Sequence, residues 1–142
     1  MLCRAASEPL RVDGGGTVVS ITSKSVKEAV DGLVLSNSVR MAVVGLAKTL
    51  ANEWAPAVRA NVVMPGSHAT ERIEDLAASA HERGSFESVE AAREAFVAGV
   101  PLGRMGDPER FGQVVAFLSG APTSFVNGAA IMVDGGEAGS IL

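Results

Sequence analysis

Two short, mostly β-branched runs, Thr17-Val18-Val19-Ser20-Ile21 and Arg59-Ala60-Asn61-Val62-Val63-Met64, stand either side of one long helical stripe. That order constrains the fold more than any other feature of the chain. Such runs suit strands covered on both faces, the habit of parallel sheets. From about Ser36 to Trp54, Val39, Val43, Leu46, Leu50 and Trp54 fall at i, i+4, i+7, i+11 and i+15, which predicts one amphipathic helix. Ala42, Gly45 and Thr49 widen its stripe with small residues and let a second surface approach closely. Pro56 stops the helix, and the polar stretch 22–31 reads as a loop. Strand, helix and strand in this order imply parallel pairing with a right-handed crossover.

The rest of the chain extends the pattern. Residues 1–16 read as a poorly ordered lead-in ending in the turn Asp13-Gly14-Gly15-Gly16. In 67–100, Ile73, Leu76, Ala77 and Ala80 predict one helix, and Val89, Ala92, Ala95 and Phe96 another, with Gly84-Ser85 between them. A helical insertion after a strand's carboxyl end suits a substrate loop. Asp107-Pro108-Glu109 is a strong helix start: Asp caps, Pro takes the first position, and Glu meets the positive end of the dipole. Phe111, Val114, Val115 and Leu118 give that helix, 107–119, its buried face, and Ala129–Val133 reads as a third strand.

Composition narrows the function classes. With 142 residues and 47% apolar content, one domain with a real core is the natural reading. A net charge of −4 lacks the basic face that nucleic acid requires. No run approaches the roughly 18 apolar residues of a membrane span. The single cysteine, Cys3, excludes an internal disulfide, and His68 and His81 have no carboxylate or thiol at ligand spacing. The opening MLCRAASEPL has no apolar stretch of a secretory signal, so a cytoplasmic location is expected. The chain has one Trp, five Phe and no Tyr.

Four segments occur in order: Val-Val-Ser-Ile-Thr-Ser (18–23), Val-Gly-Leu-Ala-Lys-Thr-Leu-Ala (44–51), Arg-Ala-Asn-Val-Val-Met-Pro-Gly (59–66) and Asn-Gly-Ala-Ala-Ile-Met-Val-Asp-Gly-Gly (127–136). Together they resemble the C-terminal half of a short-chain dehydrogenase/reductase. The resemblance implies an α/β fold, the last three strands of a doubly wound, Rossmann-like parallel sheet with helices on both faces. It also implies descent from an oxidoreductase that moves hydride between NAD or NADP and a small alcohol or carbonyl. Helices 36–54 and 107–119 would then serve homo-oligomer contacts.

The resemblance places the family's catalytic Ser at Ser23, its Tyr at Ser36 and its Lys at Arg40. Ser23 would orient a carbonyl. Pro65, Gly66 and Thr70 match the nicotinamide-side loop, and Arg40 could hold a ribose or phosphate. A serine hydroxyl is a far weaker acid than a phenol, and a guanidinium keeps its proton, so neither replacement runs the usual acid–base step. The stretch Leu33–Arg40 resembles a divergent branch with the same replacement. The glycine-rich nucleotide turn and the upstream catalytic Asn have no counterpart in these residues, so the 142 residues read as half a domain, inactive alone. Other readings stand beside these: Ser23 as a strand-end residue bonding a turn, Ser36 as a helix N-cap, Arg40 as a surface charge, and Asn61 as a structural hydrogen-bonding residue. Alternatives for the chain as a whole are a non-catalytic association module, or one part of an enzyme completed by a separate N-terminal segment.

Overall fold

Three parallel strands form where the β-branched runs lie: β1 Gly16–Ile21, β2 Val58–Pro65 and β3 Ala130–Val133. The computed structural model describes residues 2–12 and 14–141; Met1 and Asp13 of the expected lead-in, and Leu142, lie outside the described residues. The sheet order is β1-β2-β3, with Thr17 opposite Arg59, Val19 opposite Asn61 and Val63 opposite Ile131. β2 is central and almost wholly buried, while β1 and β3 each leave one edge unpaired among the described residues.

Alternation along β2 assigns the two faces. Val58, Ala60, Val62 and Met64 meet helix α2 (Val34–Glu53) through Ala47, Leu50, Ala51 and Trp54. Arg59 and Asn61 point to the other face, where helix α5 (Pro108–Ser119) ends against Arg59; helix α3 (Glu71–Glu82) and helix α4 (Val89–Ala98) precede α5 in the chain. The Asp107 carboxylate accepts from the Glu109 amide at 2.8 Å, the cap expected from sequence. α3 and α4 make a hairpin with its own small core of Ala77, Ala80 and Ala92 under Phe86, Val89 and Phe96.

Within the lead-in, residues Leu2–Ala6 form a helical turn and Pro9–Arg11 a 3-10 turn, with Cys3 and Leu10 packed on the Leu50–Trp54 cluster. Gly15, at φ +95°, sits so close to the Ala57 carbonyl that only glycine fits there. The stripe of α2 is split. Its buried line runs through Ala47, Leu50, Ala51 and Trp54, whereas Val39 is 61% and Leu46 47% exposed. A 3.6-residue period defines an apolar arc, and this helix carries a second arc wide enough to be left in solvent.

Candidate active site

The carboxyl ends of β1 and β2 and the chain just after β3 open into one cavity of about 450 Å³. Open parallel sheets bind ligands in this position, because the strand ends leave a crevice between flanking loops. All six residues singled out from sequence, Ser23, Ser36, Arg40, Pro65, Gly66 and Thr70, lie on its wall.

Their local settings differ. Ser23 follows β1 and caps the 3-10 turn Lys24–Val26, its Oγ accepting from the Ser25 amide at 3.2 Å. The hydroxyl hydrogen stays available to a ligand, so capping and ligand contact are compatible. Ser36 is not an N-cap. Leu33 holds that position without a side-chain bond, and Ser36 lies inside α2 with its Oγ accepting from Arg40 Nε at 3.0 Å. Arg40 is half-buried rather than a free surface charge, and its Nη1 donates to the Thr22 carbonyl. The guanidinium therefore ties α2 to the end of β1. Thr22 itself is buried, and its Oγ1 has no hydrogen-bond partner among the described residues.

Pro65 ends β2, and the Gly66 amide donates to the Val133 carbonyl at 3.2 Å. A Cβ on Gly66 would stand 2.5 Å from Asp134 Cβ and from Glu137 Oε2, so the turn requires glycine. Gly66→Ala is expected to cost about 2 kcal/mol through overpacking against backbone that cannot retreat. Differential scanning calorimetry checks this, and an unchanged Tm would refute it. Thr70 caps α3 by backbone only; its exposed Oγ1 makes a long 3.4 Å contact with the His68 carbonyl.

Polar wall residues that sequence reasoning did not single out include Lys24, Ser67, His68 and Glu137. Glu137 receives Lys24 Nζ at 2.7 Å, the Ser67 amide at 2.6 Å and Ser67 Oγ at 2.8 Å, with its side chain only 9% exposed. No sequence signal marks this cluster, since its members stand far apart in the chain. His68 had a signal, its place between Gly66 and Thr70. Its Nδ1 lies 3.1 Å from the Gly66 carbonyl, and its ring meets Phe111 edge-on at 5.0 Å. Apolar side chains of Ile73, Leu76 and Phe96 line the side toward α3 and α4. Among the described residues no cluster of His, Cys, Asp or Glu could hold a metal ion, and no helix is long and apolar enough to cross a membrane.

A three-stranded parallel sheet, sandwiched by helices and open at its strand ends, is the core of a Rossmann-like domain. The chain belongs to the short-chain dehydrogenase/reductase family, and the family described as enoyl-(acyl carrier protein) reductase matches residues 1–137. It is 36% identical over 124 residues to the diacetyl reductase [(S)-acetoin forming] of Staphylococcus aureus, covering 86% of this chain and 47% of that protein. It is 32% identical over 138 residues to the (3R)-3-hydroxyacyl-CoA dehydrogenase of Mus musculus, covering 96% and 49%. Among solved structures, one from Agrobacterium tumefaciens with bound NADP superposes with a TM-score of 0.79 at 32% identity, covering 94% of this chain and 51% of that one. The aldohexose dehydrogenase of Thermoplasma acidophilum does so at 0.80 and 29%, covering 90% and 49%. The chain spans about half the length of the curated relatives it matches.

Proposed function

We propose that the chain forms the nicotinamide- and substrate-facing half of an NAD(P)-linked oxidoreductase for small alcohols or carbonyls. On this reading it is the C-terminal half of such an enzyme and is inactive by itself. The observation that carries the proposal is the meeting of Ser23, Ser36, Arg40, Pro65, Gly66 and Thr70 on one cavity. The residues present fit a nicotinamide: the buried Thr22 Oγ1 is unpartnered, Ser23 and Thr70 offer hydroxyls, and Ile73, Leu76 and Phe96 give an apolar wall. They do not fit a pyrophosphate. The turns from β1 to α2 and from β2 to α3 carry one glycine each, Gly32 and Gly66, and neither is the Gly-rich cradle that phosphate binding needs.

A bound nicotinamide supplies hydride transfer. The chain's own part is to orient a substrate oxygen through Ser23, to brace the strand end through Arg40, and to exclude water with the α3–α4 hairpin. Titrating NADH and NADPH into the 142-residue chain and following nicotinamide fluorescence is expected to give no saturation below millimolar cofactor. Submillimolar binding would overturn the claim that a further nucleotide-binding segment is needed. A cytoplasmic location belongs to the same proposal, supported by the lone cysteine, which leaves no internal disulfide.

A second reading, association without catalysis, is favoured by a specific surface. Leu35, Val39, Met41 and Leu46 on α2 are all about half or more exposed, and Phe117 on α5 is 58% exposed. Apolar area of this kind is commonly covered by a partner, and a second copy is the proposed one. Light scattering after size exclusion is expected to return at least a dimer at micromolar concentration; a monomer there counts against it.

A further inference from the structure

Interconverting a hydroxyl and a carbonyl moves one proton at oxygen for every hydride moved at carbon. A site for that reaction needs a side chain that takes and returns a proton near neutrality. The family's phenol has no counterpart here, because the chain contains no tyrosine. Arg40 and Arg72 on the cavity wall are guanidiniums and keep their protons. Lys24 and Glu137 are bound to each other at 2.7 Å, and Glu137 is further engaged by Ser67. Ser23 and Ser36 are weak acids. His68 remains, and imidazole is the side chain suited to this exchange.

The geometry fixes which nitrogen of His68 is open. Its Nδ1 lies 3.1 Å from the Gly66 carbonyl, and a carbonyl can only accept, so Nδ1 carries the hydrogen. The lone pair of the neutral ring is then on Nε2, which has no hydrogen-bond partner among the described residues. The ring is held in place on two sides. Phe111 packs against it edge-on at 5.0 Å. Gly106 passes so close that a Cβ there would stand 2.4 Å from Cδ2 and 2.5 Å from Nε2. Backbone bonds of 2.9 Å, from Gly106 to Ser67 and from Ala69 to Gly106, lock this approach.

We infer that His68 is the proton carrier of this cavity, acting through Nε2 in the role for which the family uses a phenol, though from a different element; the inference rests on the oxidoreductase reading above. In the oxidative direction the substrate O–H bond breaks, its proton passes to Nε2, and its electron pair completes the C=O bond. The carbinol hydrogen leaves with its pair to an oxidised nicotinamide, and the reverse reaction returns the imidazolium proton to oxygen.

The test uses the full chain labelled with ¹⁵N and acetoin as the probe. The chain has two histidines, so His81 on α3 serves as the internal control. Long-range ¹H–¹⁵N spectra at mildly alkaline pH are expected to show the His68 hydrogen on Nδ1. Added acetoin is expected to shift His68 Nε2 and the Thr22 and Ser23 amides while leaving His81 unmoved. His68→Asn keeps a donor for the Gly66 carbonyl but removes Nε2, and is expected to weaken acetoin binding roughly fivefold, the worth of one net hydrogen bond. A hydrogen found on Nε2 overturns the inference. So does an acetoin titration that moves Thr22 and Ser23 but not Nε2, with His68→Asn binding as the parent does; the oxidoreductase reading survives that result. If acetoin moves none of these resonances, the inference and the reading fall together.

Discussion

Glu137→Ala is expected to lower the unfolding free energy by about 3 kcal/mol, because it leaves several polar groups at the cavity wall without a partner. Lys24 Nζ, the Ser67 amide and Ser67 Oγ all end on this carboxylate, at 2.6–2.8 Å. Lys24 is 28% exposed, so water relieves part of the loss at the ammonium but little at the backbone amide. The consequence reaches the site, since Glu137 latches the tail after β3 to the turn after β2 and to the 3-10 turn after Ser23. Glu137→Gln keeps the shape and one acceptor oxygen while removing the charge, and is expected to lose about half as much. Urea unfolding followed by Trp54 fluorescence measures both. A loss for Glu137→Ala within about 0.5 kcal/mol, the range of ordinary surface changes, would show that the network does not hold the cavity.

What could be read in the sequence was whatever rests on short-range regularity. The three strands lie within a residue or two of their expected places, since β-branched runs between turns have few other solutions. The Asp107 cap and the α3–α4 hairpin are local as well. The split face of α2 was not legible, because periodicity gives the width of an apolar arc and not which part of it meets a sheet. Ser36 fails as an N-cap for a related reason: α2 starts earlier, at Val34, on backbone bonds alone, which leaves Ser36 to receive Arg40. In the site, Pro65, Gly66 and Thr70 were found because the segment ending β2 resembles the family's nicotinamide-side loop. Glu137 and Lys24 were not, because their pairing depends on how β1 and β3 flank β2.

Asn61→Leu carries the largest expected penalty, about 4 kcal/mol, from two buried bonds lost at a position with no access to water. Asn61 is 0% exposed; its Nδ2 donates to the Val126 carbonyl at 2.9 Å and its Oδ1 accepts from the Ala129 amide at 3.0 Å. One side chain of central β2 thus fixes both ends of the turn 126–129 that launches β3, which makes its role structural, as the sequence suggested. Asn127 works from the other direction, its Oδ1 accepting from the Ala60 amide at 2.9 Å and its Nδ2 donating to the Ala51 carbonyl at 2.8 Å. Leucine has the same branched skeleton as asparagine, with two bulkier methyl groups in place of the amide oxygen and nitrogen, so packing alone would cost less than the lost bonds. Asn61→Asp separates the terms: it keeps the acceptor for Ala129, loses the donor to Val126 and buries a charge. It is therefore expected to lose as much as leucine at neutral pH and less in acid, where a protonated carboxyl can donate again. Small domains carry about 5–15 kcal/mol of stability, so either variant would sit near its unfolding midpoint in mild urea. Amide exchange should show the loss first at Ile131–Val133, whose pairing with β2 depends on the turn. Protection of β3 equal to that of the parent, in a variant destabilised elsewhere, would mean that β3 docks without Asn61.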